Sequence, residues 1–218
     1  MTIPPRAHAA RIEERIARLP DGSTAGVRRL RRAASAEIAD LPPDEVLALA
    51  GALVDRGGDT LRFVAYELVA AHAPTMAALG PRAVERLGAG MASWPAVDTF
   101  ASYVAGPAWR EGRLGDATIA RWARSPDRWW RRAALVSTVP LNCRARGGRG
   151  DAARTLAVCA MHTADRDPMV WKALSWALRE LAKREPDEVR RFIAEHESAL
   201  ARPVLREVRT KLETGRKN

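Results

Sequence analysis

Three separated fragments carry the residue types that could do chemistry: Trp94-Pro-Ala-Val-Asp98, Trp129-Trp130-Arg131-Arg132, and Trp176 within Lys172-Ala-Leu-Ser-Trp-Ala-Leu-Arg-Glu180. Assembled into one small site, they would offer a carboxylate, broad aromatic faces and a guanidinium. That set can hold a cationic ring beside a phosphate. An indole face attracts a cation by about 0.5–2 kcal/mol, and arginine grips phosphate oxygens bidentately where lysine acts as a point charge. No other part of the sequence offers a catalytic constellation.

Each fragment has a structural reading beside the chemical one. Trp94 and Asp98, four residues apart, share one face of a helix that begins near Pro95. In or near the first turn, exposed backbone N–H groups favour an ionised Asp98, which suits stabilising a cation and orienting water better than donating a proton. The same pair could be an N-terminal capping residue with a tryptophan stapled to the core. Consecutive helical residues diverge by about 100°. One of Trp129 and Trp130 is therefore expected in the core, and one of Arg131 and Arg132 can reach a phosphate; alternatively, the arginines are a solvated face. Trp176 lies in a helix with a broad apolar stripe of Ala173, Leu174, Ala177, Leu178 and Leu181. It could be core, or it could expose its indole across the small neighbours Ser175 and Ala177.

The elements that must position these residues are helices. The 218-residue chain is rich in Ala, Leu, Arg and Glu and poor in Ile, Thr, Tyr and Phe, a helix-former composition. Punctuation predicts about a dozen short helices. The first spans Pro5 to Leu19, with a break at Asp21-Gly-Ser-Thr24. Ser23 or Thr24 caps the next, which ends near Asp40. Leu41-Pro-Pro-Asp-Glu45 opens a third, with Val46, Leu49, Ala50 and Leu53 at helical spacing. Asp59 is expected to cap Thr60–Ala71, and Asp116 to cap Ala117–Arg124. Ser93 precedes a helix that Gly106-Pro107 ends, and Ser125-Pro-Asp127 opens a helix to Thr138. Four more follow: Asp151–His162, Asp167–Lys183, Pro186–Glu197 and Arg202–Thr214. Gly147-Gly-Arg-Gly150 reads as a flexible, solvated linker that could also track a phosphate backbone. No strand pattern is present. Helices this short, joined by short links, read as antiparallel pairs. The expected fold is an all-α solenoid of degenerate HEAT-like pairs with a basic concave face, one domain over residues 1–218 with a frayed basic tail at 211–218. An irregular helical bundle is the other arrangement.

Charge points to a polyanion. Lys and Arg total 36 against 26 Asp and Glu, a net charge of +10, and such an excess displaces condensed counterions from phosphates. High-GC codon usage accounts for Arg over Lys, but not for the excess over acid. From Arg121 to Arg154, nine arginines face only Asp127 and Asp151. No apolar run has transmembrane length, and the charged N-terminus has no secretory signal. Cys143 and Cys159 form no metal or disulfide spacing, and four dispersed histidines suggest no metal. No cofactor, no metal and no membrane partner are expected. The expected setting is the bacterial cytoplasm, at the nucleoid when DNA is bound.

Taken together, Trp94-Pro-Ala-Val-Asp98, Trp122-Ala-Arg-Ser-Pro-Asp-Arg-Trp-Trp-Arg-Arg-Ala-Ala-Leu135 and Lys172–Glu180 resemble the AlkD family of HEAT-like-repeat DNA glycosylases, over roughly Thr60 to Thr214. The resemblance implies that Asp98 is the catalytic carboxylate, that Trp94 and Trp176 are cleft tryptophans beside it, and that Arg132 contacts phosphate. Arg131, Trp130 and Lys172 complete the expected DNA-binding set. The implied activity is monofunctional hydrolysis of the N-glycosidic bond of cationic N3- or N7-alkylated purines in duplex DNA, without drawing the base into a pocket; separately, a monomer is expected. The N-terminal third has no aromatic residue before Phe63, unlike what that resemblance leads one to expect. The alternative is a non-catalytic HEAT-repeat protein that binds branched or distorted DNA; a third is a protein scaffold without a nucleic-acid role.

Overall fold

A computed structural model describes residues 3–19 and 23–216; the expected break at Asp21-Gly22 lies outside them. Among the described residues the chain is all helix and turn, with no strand. It packs as two compact units, residues 1–104 and 105–218.

The first unit holds α1 (Pro5–Ala17), α2 (Thr24–Glu37), α3 (Pro43–Arg56), α4 (Asp59–Ala71), α5 (Ala73–Ala78), α6 (Pro81–Gly88) and α7 (Trp94–Phe100). Helices packed side by side form two rows, α1–α3–α6 and α2–α4–α7, cross-linked chiefly by α3 on α4. Prolines stand in the first turns of α1, α3, α5, α6 and α7, where the missing N–H is no loss. Ser23 caps α2 by accepting from Gly26 N. Asp59 does not cap α4. It is the first helical residue, and its carboxylate accepts from Ser93 Oγ at 2.7 Å.

The second unit holds α8 (Gly106–Arg110), α9 (Asp116–Ala123), α10 (Arg128–Val136), α11 (Val139–Asn142), α12 (Ala152–Ala160), α13 (Pro168–Leu181), α14 (Pro186–Glu195) and α15 (Arg202–Thr214). Its central row is α10–α13–α15, with α9 and α12 packed against it. Asp127, Asp151 and Asp167 cap α10, α12 and α13 through Trp129 N, Arg154 N and Met169 N. Asp116 leaves the capping role and accepts from the indole Nε1 of buried Trp109 at 2.7 Å. A buried indole N–H needs that partner more than a solvent-facing helix end does.

Two expectations about glycine are corrected. Gly106-Pro107 does not end the helix begun at Trp94. The chain widens into a π-helical turn over Ala101–Ala105 and continues as α8. Pro107 has no N–H for the i→i−4 ladder and its ring crowds that carbonyl, so a wider turn before it lets the helix pass. The loop Gly147–Gly150 is not a loose linker either. Gly148 N donates to Cys143 O and Gly150 N to Leu141 O, while Arg184 donates to Asn142 O at 3.1 Å and Gly148 O at 2.7 Å. Buried Asn142 donates to Thr138 O and Thr155 Oγ1 and accepts from Asp151 N.

Candidate functional site

In the first unit, α7 carries both residues of the first fragment. Its rotation is set by Ala96, Val97 and Phe100, all buried, with Phe100 tilted against Tyr66 of α4 at a ring separation of 5.6 Å. The Tyr66 hydroxyl donates to Leu87 O and accepts from Arg62, which also reaches Ala89 O. This buried network ties α4 to the segment that leads into α7, and burial raises the phenol pKa of Tyr66. Ser93 caps the helix by accepting from Ala96 N while donating to Asp59. The entry point of α7 is thus held from both sides.

With that face buried, the other face presents Trp94, Pro95, Asp98 and Thr99 at intermediate or high exposure. Trp94 is 57% exposed and, with Ile3 at 40%, is one of two exposed large apolar side chains among the described residues. Asp98 follows one turn later on the same side. It is the fifth helical residue, so it sits just past the first turn. A feature that sequence reasoning missed lies beside this helix. A cavity of about 200 Å³ is lined by Val27 of α2, Asp59, Thr60 and Phe63 of α4, and Pro95 and Thr99 of α7. Phe63, the first aromatic residue of the chain, is one wall, with the Arg28 guanidinium 5.7 Å over its ring. Its sequence signal is weak, because nothing local says that α4 lies against α7.

In the second unit, α10 and α13 pack side by side and bring the remaining residues together. Trp130 tilts against buried Trp122 with centroids 4.9 Å apart, and Trp129 is half-buried beneath Arg128. Neither tryptophan of the pair is fully buried; Trp122 is the core member of the cluster. Arg131 turns inward, donating to Asp165 Oδ2 at 2.9 Å and to the carbonyls of Ser125 and Pro126. Arg132 is 6% exposed and donates to Met169 O at 2.5 Å, pinning α10 to the start of α13. Lys172 is exposed, its ammonium 5.7 Å over Trp171. Trp176 is half-buried between buried Ser175 and Ala177. Ser175 donates to Glu207 of α15 at 2.6 Å and accepts from Arg179, which fixes the helix face on which Trp176 stands.

The Arg131–Asp165 pair borders buried His162, whose Nδ1 is 3.8 Å from Asp165 and whose Nε2 has no hydrogen-bond partner among the described residues. Burial, aided by Arg131 and opposed by Asp165, lowers its pKa from 6.5 to about 4. The unfolded chain then takes up the proton first. The stability tied to neutral His162 is complete above pH 6.5 and is lost as pH falls towards 4, a loss of about 3 kcal/mol across the window. Urea unfolding between pH 7 and pH 4 should show this decline, and His162→Gln should flatten it. An identical slope in both proteins would count against it.

Among the described residues no helix is long and apolar enough to cross a membrane. A family model described as DNA alkylation repair enzyme matches residues 23–212. No curated protein and no solved structure matches the chain.

Proposed function

The chain belongs to the DNA alkylation repair enzyme family, and from that premise we propose that it is a monofunctional DNA glycosylase. Its substrates are N3- and N7-alkylated purines in duplex DNA. The observation that carries the reading is the Trp94–Asp98 pair: an indole left 57% exposed one turn before a carboxylate, on a helix whose opposite face is locked. An exposed indole in a chain that shelters its other tryptophans fits a surface that meets a ligand.

The chemistry asks little of the protein. An alkylated purine is a cationic leaving group, so the C1′–N bond can break without protonation. Its electron pair neutralises the purine and positive charge moves to the sugar. The Asp98 carboxylate stabilises that oxocarbenium-like state electrostatically and orients the water that adds to C1′; the water's second proton leaves to solvent. Trp94 and Trp176 supply indole surfaces to the deoxyribose and backbone, so the base need not enter a pocket. Arg132, buried and held by the Met169 carbonyl, makes up the proposed DNA-contacting set with Trp130, Arg131 and Lys172, of which Lys172 is the exposed cation. Arg131 acts mainly as a brace, since three acceptors hold its guanidinium within the unit.

The test is incubation with duplex DNA containing N7-methylguanine. Free 7-methylguanine should appear with an abasic site left uncleaved. Tight DNA binding with no base release would leave a non-catalytic DNA-binding protein as the better account.

A further inference from the structure

A second basic site is lined wholly by residues of the second unit, none of them among those assigned above. A cavity of about 290 Å³ is lined by Arg110, Glu111, Leu141, Arg149, Asp151 and Arg154, with Gly147 and Gly150 at its rim. Five of those six side chains are charged, so an acyl chain or aromatic ring finds little to pack against. Two guanidiniums are fixed as walls. Arg154 donates to Asp151 at 2.5 Å and to Trp109 O at 3.2 Å, and lies 5.0 Å over the Trp109 ring. Arg110 donates to Glu111 at 2.8 Å and to Arg146 O at 2.5 Å. Arg110, with lesser help from Arg149 and Arg113, holds the Glu111 carboxyl below its usual pKa against the opposing effect of burial. Both lining carboxylates are therefore already matched to an arginine.

Arg149 is different. Among the described residues its guanidinium has no hydrogen-bond or ion-pair partner, yet its backbone sits in the loop pinned by Asn142 and Arg184. A Cβ at Gly148, the residue before it, would lie 2.5 Å from Pro140 O and 2.7 Å from Cys143 N, so the loop can close only with glycine there. A long cationic side chain is thus presented by a rigid loop over a cavity that already holds two oriented guanidiniums.

We propose that this cavity binds a phosphate group, with Arg149 as its principal ligand and Arg110 and Arg154 as the preorganised wall. Guanidinium forks match the oxygens of a phosphate, and Arg149, which acts on Glu111 only through space, has its donors available for an anion. The phosphate has two possible sources, the diester backbone of DNA and a free phosphate. The proposal rests on the reading that the chain meets DNA only for the first source, and not on glycosylase chemistry.

The test uses undamaged duplex, which has no scissile lesion, so its outcome is independent of base release. Affinity is measured across a salt series for the wild type and for Arg149→Ala, with thermal melting confirming that the variant is folded. Loss of one backbone contact should reduce the slope of log K against log salt by about 0.9. In parallel, inorganic phosphate is titrated into the wild-type protein while the arginine Nε–H resonances are followed by NMR. A reduced slope assigns the site to the DNA backbone. An unchanged slope with saturable phosphate-induced shifts at Arg149 and Arg154 assigns it to a free phosphate. An unchanged slope with no saturable shift overturns the proposal.

Discussion

Asp98→Asn is expected to reduce single-turnover release of 7-methylguanine from duplex DNA by about 100- to 1000-fold, the range seen when one preorganised electrostatic contact to a transition state is removed. The substitution keeps shape and removes charge. A cationic purine leaves without help from an acid, so the barrier lies in placing positive charge on the sugar, and a neutral amide does not stabilise that charge. DNA affinity should hold or rise, since a carboxylate near phosphates is repulsive in the ground state. This split between rate and affinity separates a catalytic carboxylate from a structural one, which would lower both through stability. An unchanged rate in the folded variant would remove Asp98 from the mechanism. The position of Asp98 gives the prediction its sharpness: α7 is oriented by Phe100 on Tyr66 and by the Ser93–Asp59 bond, neither of which the substitution touches.

Gly148→Ala is expected to lower stability by about 3 kcal/mol or more, in the range of overpacking combined with lost buried hydrogen bonds. Its added carbon would lie 2.5–2.8 Å from backbone atoms of Pro140, Leu141 and Cys143. Backbone cannot swing aside as a long side chain can, so the loop must lift. Lifting it breaks Gly148 N to Cys143 O and Gly150 N to Leu141 O and strips Arg184 of its Gly148 carbonyl. Buried Asn142 then loses the Asp151 N–H. Urea unfolding of the wild type and variant at pH 7 measures the difference, which also corresponds to a fall in Tm of about 6–12 °C for a chain of this length. A variant as stable as the wild type would show that the loop has a second, equally good conformation.

These two sites mark the boundary between what was legible in the chain and what was not. Asp98 and Trp94 could be found because they share a short helix and their relation is set by helical geometry alone. Arg131 and Arg132 are adjacent on one helix, and their divergence by about 100° leads one to expect that one of them reaches a phosphate. The fold gives each an internal acceptor instead, Asp165 and Met169, 34 and 37 residues further on. Gly147–Gly150 read as a linker because glycine and arginine favour solvent locally. It is pinned because Arg184 and the buried Asn142 supply donors and acceptors that no local window contains. Phe63 gave no hint of lining a cavity with Pro95, since that adjacency exists only when α4 packs on α7.

The amino-acid sequence by itself determined the helical class, most helix starts, the basic character and the residue types available for chemistry. Those properties rest on interactions within one turn: proline in a first turn, a serine or aspartate capping N–H groups two or three residues ahead, apolar residues recurring at helical spacing. The tertiary structure decided which charged side chains face outward and which become braces. It turned Asp59 and Asp116 from caps into partners of Ser93 and Trp109, and carried a helix through Gly106-Pro107 by way of a π turn. A buried donor must find its acceptor wherever the fold places one, and that demand overrides the preference of any short segment.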